Sequence, residues 1–154
     1  MTTKVFVDTS AFYALSSERD ASHTRARDTY EHAKRLQALL VTSSYVVLET
    51  ISLLQKRHGI AMAERFGDSV AGGVDVVWID AGQHHMAWKL WKEQRQRGLS
   101  LVDCSSFAVM RDVGIRHVFA FDRQFEDAGF VPFSPSADRV AERWAGYRVG
   151  RRKS

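Results

Sequence analysis

The feature that most constrains this chain is a short apolar segment that ends in an aspartate. Val5-Phe6-Val7 precedes Asp8, two hydroxyl residues follow, and residues 11–15 have the composition of a helix start. This pattern predicts a buried strand that leads into a helix. Because ligand sites in open α/β sheets lie beyond the carboxyl ends of the strands, Asp8 is a candidate for chemistry. The simpler alternative is that Asp8 only caps the helix.

The remaining segments alternate between helical and strand patterns. Helices are expected at 22–39, 45–57, 60–70, 83–97 and from residue 100 to a stop at Gly114. Strands are expected at 40–42, 74–79, 117–121 and 130–133. This alternation predicts an α/β fold, a three-layer α/β/α sandwich around a short parallel sheet.

Composition fits one ordinary globular domain, with 45% hydrophobic and 26% charged residues among 154. No apolar run approaches the ~20 residues that span a bilayer, and no signal-peptide core is present, so we expect a cytoplasmic protein outside the membrane. The single cysteine, Cys104, excludes an internal disulfide and is expected to be a small buried side chain.

The net charge of +4 is concentrated at the C-terminus. Residues 137–154 hold six basic and two acidic side chains, so the preceding 136 residues sum to zero. We therefore expect a main domain at 1–136 and a basic C-terminal extension at 137–154. The basic pI does not by itself indicate that the main domain binds nucleic acid.

Three further acids occupy settings comparable to that of Asp8. Glu49 lies in the middle of a helix among apolar neighbours, Asp103 lies in the first turn of another, and Asp122 directly follows the expected strand 117–121. Glu49 and Asp103 also have simpler explanations, because a glutamate is common at a helix boundary and Asp103 could form a capping box with Ser100.

A parallel sheet would bring these four acids to one edge. Carboxylates at close range repel one another unless a cation intervenes. An all-oxygen ligand set suits Mg²⁺ or Mn²⁺. Such an ion lowers the pKa of a bound water and stabilises charge on a phosphodiester, so the predicted chemistry is metal-assisted hydrolysis of a phosphate ester.

The segments that carry the acids resemble the successive motifs of PIN-domain ribonucleases. These segments are residues 5–10, the helix around Glu49, residues 100–105 and residues 118–125, and the likeness runs from about residue 4 to residue 133. The compact length and the motif spacing are most similar to the VapC-type toxins of bacterial toxin–antitoxin pairs. The resemblance implies the α/β/α sandwich, an endoribonuclease that uses Mg²⁺ or Mn²⁺, an RNA substrate, a cognate antitoxin protein as partner and a homodimer.

By the same resemblance, the family's acidic metal site falls on Asp8, Glu49, Asp103 and Asp122, and its hydroxyl position falls on Ser10 or Thr9. Two positions depart from the family pattern. Ala120 stands where the family often has Thr or Ser, and Gln124 stands where a further acid often follows. Both changes weaken the second metal position more than the first. We therefore expect one tightly held ion, with a second arriving with the substrate.

Other functions fit the residues less well. A haloacid dehalogenase-type phosphatase needs a second aspartate where Ser10 stands, and a phosphoacceptor receiver domain needs a late lysine where Asp122 follows its strand. A PIN-like module that binds RNA without cutting would not gather four acids against a polyanion. A housekeeping PIN nuclease in RNA processing or decay remains the alternative to a toxin.

The segment 83–97 combines two tryptophans with several basic residues. Trp88 and Trp91 could bind RNA by stacking while the neighbouring cations contact phosphates. The interpretation that we favour is that both tryptophans are buried and the lysines form a solvated face.

Overall fold

The structure is a computed structural model that describes residues 2–137. Its five strands are β1 (Lys4–Val7), β2 (Leu39–Ser43), β3 (Asp75–Val77), β4 (His117–Phe119) and β5 (Val131–Pro132). They form one sheet in the order β3-β2-β1-β4-β5, and each neighbouring pair is parallel. Apart from residue 137, the expected basic extension lies outside the described residues.

Within residues 2–137, seven helices connect the strands. They are α1 (Thr9–Ser16), α2 (His23–Arg35), α3 (Ser44–His58), α4 (Ile60–Gly73), α5 (Ala81–Gln94), α6 (Leu101–Val113) and α7 (Gln124–Asp127). Helices flanking a short parallel sheet confirm the predicted α/β/α fold class. No helix in this part of the chain is long and apolar enough to cross a membrane.

Strand β1 lies at the centre of the sheet and of the core. Val5 and Phe6 have no exposed surface, and Val7 is 1% exposed. Burying each of these side chains contributes on the order of 1.5–3 kcal/mol, so the position of the strand is fixed by packing. Its neighbour β4 pairs Phe119 with Val7. The backbone that carries Asp8 therefore emerges from the best-packed part of the molecule.

Strand β4 is shorter than the sequence predicts. Its partner β1 turns into α1 after Val7, and the N–H of Asp8 donates to the carbonyl of Phe119 over 3.0 Å. Beyond that point there is no neighbouring strand to extend the ladder, and the N–H of Phe121 donates instead to Ser10 Oγ over 3.0 Å. Asp122 therefore lies on a loop three residues past the strand, not at its edge.

Strand β3 is shortened in the same way. It was expected at 74–79 but covers Asp75–Val77. Its neighbour β2 ends at Ser43, and the N–H of Ile79 donates to the hydroxyl of Ser44 over 3.0 Å. A strand in a parallel sheet thus ends where its partner becomes a helix.

Three helices also differ from the prediction, and one of them, α4, continues past residue 70 to Gly73. Helix α2 ends at Arg35 because Gln37 takes a left-handed φ of 53° and Leu39 enters the sheet. Helix α5 begins at Ala81, where Asp80 and Gln83 form a reciprocal capping box. It ends at Gln94, since the following residue, Arg95, has a φ of 47°.

The tryptophans of α5 are not buried, which corrects the interpretation that we favoured. Trp88 is 42% exposed and Trp91 is 39% exposed, and their rings stack on each other with centroids 5.2 Å apart. The core contact of α5 is made by smaller residues, including the fully buried Ala87. Cys104, by contrast, is fully buried as predicted.

Candidate active site

Asp8 occupies the junction between β1 and α1 and is only 4% exposed. Its Oδ2 accepts from the N–H of Ser10 over 3.2 Å and from Ser10 Oγ over 2.8 Å, so Asp8 does cap α1. Burial nevertheless raises the pKa of Asp8 to about 6, against the lowering effect of the Ser10 hydrogen bonds, and the Asp103 carboxylate adds to the rise. A simple cap would be exposed and readily charged. Asp8 is therefore a buried acid, and no cationic side chain in residues 2–137 lowers its pKa.

The Ser10 hydroxyl joins two of the four acids. It donates to Asp8 Oδ2 and accepts from the N–H of Phe121, which directly precedes Asp122. One hydroxyl therefore holds both the Asp8 carboxylate and the start of the Asp122 loop.

Thr9 binds a different carboxylate from the one that Ser10 binds. Its Oγ1 donates to Glu49 Oε2 over 2.7 Å. Glu49 is half-buried on α3, so the contact ties the N-terminus of α1 to α3. The sequence left open whether Ser10 or Thr9 takes the family's hydroxyl position. In the structure each hydroxyl binds a different carboxylate.

Asp103 is electrostatically central to the group. It forms the predicted capping box at the start of α6: its Oδ2 accepts from the N–H of Ser100, and Ser100 Oγ accepts from the N–H of Asp103, both over 3.0 Å. The pKa of Asp103 is raised, first by burial and then by the carboxylates of Asp122 and Glu49. Asp103 also raises the pKa of Asp8, so it interacts electrostatically with all three other acids.

Asp122 is the exposed member of the group. Its Oδ1 accepts from the N–H of Gln124 over 3.1 Å. The side chain of Gln124 turns away from Asp122, and its Nε2 donates to the carbonyl of Gly98, which lies shortly before Ser100. The sequence identified Gln124 only as a position where the family often has an acid. That departure was the one sequence signal that Gln124 has a different role.

The donor set fits a hard divalent cation. The four carboxylates lie at the end of β1, on the loop after β4 and on helices α3 and α6. Burial, with a further contribution from the neighbouring carboxylates, raises the pKa of both Asp8 and Asp103. Oxygen ligands of this kind suit Mg²⁺ or Mn²⁺. As the side chains of residues 2–137 are placed, however, no three acidic, histidine or cysteine groups come close enough to hold an ion together. Hydrogen bonds from Ser10, Ser100 and Gln124 hold Asp8, Asp103 and Asp122 to their own chain segments, and Thr9 on α1 holds Glu49 on α3.

Comparison with known proteins identifies the family of this domain. The model of the PIN domain matches residues 5–131, which include all four acids. The chain belongs to the PIN-domain family. The match begins at β1 and ends within β5, so the family domain is the sheet and its helices.

Its curated relatives include a protein from two strains of Mycobacterium tuberculosis, CDC 1551 / Oshkosh and ATCC 25618 / H37Rv, that is named 23S rRNA-specific endonuclease VapC20. The identity is 38% over 137 residues, which cover 85% of this chain and 98% of the relative. The crystal structure of Mycobacterium tuberculosis VapC20, described as a sarcin–ricin loop cleaving toxin, superposes with a TM-score of 0.78 at 35% identity. That match covers 85% of this chain and 99% of the other.

A second solved structure shows the same fold at much lower identity. It is VapBC2 from Rickettsia felis bound to a DNA fragment from its promoter, with a TM-score of 0.64, 12% identity and coverage of 84% and 97% of the two chains. The family match and the two matches to VapC20 confirm that this PIN-domain chain is of the VapC type, as the motif resemblance predicted.

Proposed function

We propose that this VapC-type PIN-domain protein is a Mg²⁺- or Mn²⁺-dependent endoribonuclease that acts as the toxin of a toxin–antitoxin pair. The observation that carries the proposal is the grouping of Asp8, Glu49 and Asp122 around Asp103, with a raised pKa at the buried Asp8 and at the half-buried Asp103. Such a group is costly for a metal-free protein, because uncompensated negative charge is buried. A divalent cation removes that cost.

In the proposed mechanism Asp8 and Asp103 would hold the ion, with Glu49 and Asp122 as the remaining carboxylates of the site. Such an ion would activate water at neutral pH and would neutralise charge on the phosphodiester. Ser10 keeps Asp8 oriented and holds the Asp122 loop beside it. Thr9 orients Glu49. These hydroxyls keep the acids in place for the reaction but exchange no proton with the substrate.

A cleft beside Asp122 supplies a path for the polyanion. The cleft has a volume of about 750 Å³ and is lined by Asp122 and by Arg25, Arg35 and Arg123. None of these arginines forms an ion pair with a described residue, and the guanidinium of Arg25 lies 5.1 Å from the ring centroid of Phe121. Two further acids, Asp28 and Glu126, also line it. With Asp122 engaged by a cation, the lining arginines exceed the remaining acids and favour a phosphate backbone.

The proposed target is ribosomal RNA. This rests on the 38% identity to the relative named for 23S rRNA and on the solved structure described as a sarcin–ricin loop cleaving toxin. The proposed partners are a cognate antitoxin protein that blocks the site and a second copy of the chain in a homodimer. The proposed location is the cytoplasm, because ribosomes are found there and its reducing conditions suit the free thiol of Cys104.

The test uses purified protein and a 23S rRNA fragment that contains the sarcin–ricin loop. We expect cleavage with Mg²⁺ or Mn²⁺, no cleavage in EDTA, and recovery when the ion is restored in excess. An Asp103→Asn variant should be inactive in both conditions. Equal cleavage by the wild type in EDTA would exclude the metal-dependent mechanism.

A growth experiment separates the toxin from the housekeeping nuclease. Strong induction of the wild-type protein should arrest growth, and co-expression of the protein encoded beside it should relieve the arrest. The Asp103→Asn variant, made to the same level, should be harmless. Normal growth with a confirmed active wild type would favour a role in RNA processing or decay.

A further inference from the structure

We propose that Gln124 is a positioning residue that fixes the Asp122 loop to the loop of residues 95–100, which precedes α6 and its Asp103, and so sets the approach of the two carboxylates. The inference rests on the proposed function, because it concerns how the same site holds its ion. Gln124 contacts neither ion nor substrate in this role and acts only through its two neighbouring acids.

The contacts of Gln124 reach both loops. Its backbone N–H donates to Asp122 Oδ1 over 3.1 Å, and its side-chain Nε2 donates to the carbonyl of Gly98. Gly98 lies two residues before Ser100, whose N–H donates to Asp103 Oδ2. A short chain of hydrogen bonds and backbone therefore links one carboxylate to the other.

The surrounding packing fits this tie. A Cβ built on Gly98 would lie 3.4 Å from Gln124 Nε2, which is van der Waals contact, so the amide packs directly against this residue. The next residue, Phe125, is fully buried, and its ring meets that of Phe107 on α6 edge-on at 5.1 Å. The backbone that carries Gln124 is thus anchored to the helix that carries Asp103.

The chemistry of the contact requires an amide. The carbonyl of Gly98 is an acceptor, so its partner must be a donor. An acid at position 124, as the family often has two places after the aspartate, would set two acceptors against each other. The Oε1 of Gln124 is buried and accepts no hydrogen bond from the described residues, so the donor half of the amide makes the contact. In this chain, position 124 provides a tie instead of a further acid.

The Asp122 loop is then held at both ends. Before Asp122, the N–H of Phe121 donates to Ser10 Oγ, and after it Gln124 reaches Gly98. Loss of the second contact frees the loop on the Asp103 side only. Residues that orient metal ligands typically contribute about 10- to 100-fold in metal affinity or activity.

The test compares Gln124→Glu, Gln124→Met and the control Gln96→Glu. Gln124→Glu keeps the size of the side chain and adds an acid, whereas Gln124→Met removes the donor without adding charge. Gln96 is exposed, lies in the same loop as Gly98, and makes its side-chain hydrogen bond with Gln94. Gln96→Glu therefore adds the same negative charge as Gln124→Glu without touching the proposed contact. The readouts are Mn²⁺ affinity by calorimetry, kcat and KM on RNA, the thermal midpoint, and amide exchange in residues 96–100.

We expect both Gln124 variants to bind Mn²⁺ about tenfold more weakly and to exchange amides faster at 96–100. KM for RNA and the thermal midpoint should stay close to wild type, and Gln96→Glu should match wild type throughout. Tighter Mn²⁺ binding by Gln124→Glu would overturn the proposal, because position 124 would then act as a ligand position. Unchanged affinity and exchange in both variants would also overturn it. A wild-type protein that neither binds Mn²⁺ nor cuts RNA would refute the proposed function. Amide exchange at 96–100 would still test whether Gln124 holds the Gly98 loop.

Discussion

The Asp8 side of the site differs from the Asp122 side in burial and support. Asp8 is 4% exposed, follows the central strand directly and accepts two hydrogen bonds from Ser10. Asp122 is exposed, lies on a loop past β4 and accepts one backbone hydrogen bond from Gln124. Asp103, between them, interacts with both carboxylates.

This difference separates the roles of the two acids. Water solvates a charged Asp122, but burial disfavours a charged Asp8 and raises its pKa to about 6. Asp8 therefore gains far more from a cation than Asp122 does. The buried side is the place for a permanently held ion, and the exposed side suits an ion or phosphate that arrives with the substrate.

The largest expected effect is the contrast between Asp8→Asn and Asp122→Asn. Asp8→Asn keeps a cap for α1 but removes the charge, so the rate of RNA cleavage should fall by at least about a thousandfold, or about 4 kcal/mol of transition-state stabilisation. At saturating Mg²⁺, Asp122→Asn should instead retain cleavage activity within about tenfold of wild type, or about 1.4 kcal/mol. Single-turnover cleavage measures both. Wild-type turnover by Asp8→Asn would contradict its assignment as a ligand.

The next effect is the pH dependence of stability in the metal-free protein. The pKa of Asp8 is about 6 in the folded state and 3.8 as the ordinary value, so between these values the folded state binds more protons than the unfolded chain. The free energy of unfolding should therefore fall as pH rises from about 4 to about 6, by about 3 kcal/mol from this group, and then level off.

The matched variant for this measurement is again Asp8→Asn. Urea denaturation in EDTA should show the variant gaining stability relative to wild type by about 3 kcal/mol between pH 4 and pH 7. A difference that stays constant over this range would mean that Asp8 ionises normally in the folded protein.

A smaller effect is expected from the two hydroxyls. Ser10→Ala removes the link between Asp8 and the Asp122 loop, and cleavage should slow by about 10- to 100-fold. Thr9→Val frees only Glu49 and should cost less. Ser16→Ala is the control, since its hydroxyl bonds only to the Phe12 carbonyl within α1. Equal rates for Ser10→Ala and Ser16→Ala would show that the link has no role.

The smallest effect concerns the basic C-terminal extension, which lies outside the described residues. Its charge can attract RNA because the rest of the chain sums to zero. Deletion after Tyr147 removes Arg148, Arg151, Arg152 and Lys153. RNA affinity should weaken and its salt dependence should flatten by roughly one counterion per lost phosphate contact, with little change in the saturated rate. Identical affinity and salt slope in the truncated protein would refute this role.

The sequence predicted the parts of the fold that local patterns determine. Val5-Phe6-Val7 with Asp8 marked the central strand, and Ser100 with Asp103 marked the start of α6, because apolar runs and caps are local signals. It overestimated β3 and β4, since a strand's length depends on where its partner ends. The exposure of Trp88 and Trp91 was also missed, because composition does not show which face of a helix meets the core.

For the candidate site, the sequence predicted the acids but not what holds them. Their grouping follows from strand ends and helix starts, which can be read in order along the chain. The sequence could not show that Thr9 and Ser10 bind different carboxylates, because both lie in the first turn of α1. Only the packing of α3 and of the loop at Phe121 distinguishes their partners. The Gln124 contact with Gly98 likewise joins loops that are distant in sequence.

The most direct measurement is the titration of the Asp8 side-chain carboxyl by carbon-detected NMR, without metal and with saturating Mg²⁺. If the buried side of the site is built for a cation, the pKa of Asp8 should lie near 6 without metal. With Mg²⁺ bound it should fall below the ordinary aspartate value of about 3.9, because the adjacent positive charge favours the carboxylate. A midpoint near 4 that is the same with and without Mg²⁺ would contradict the assignment.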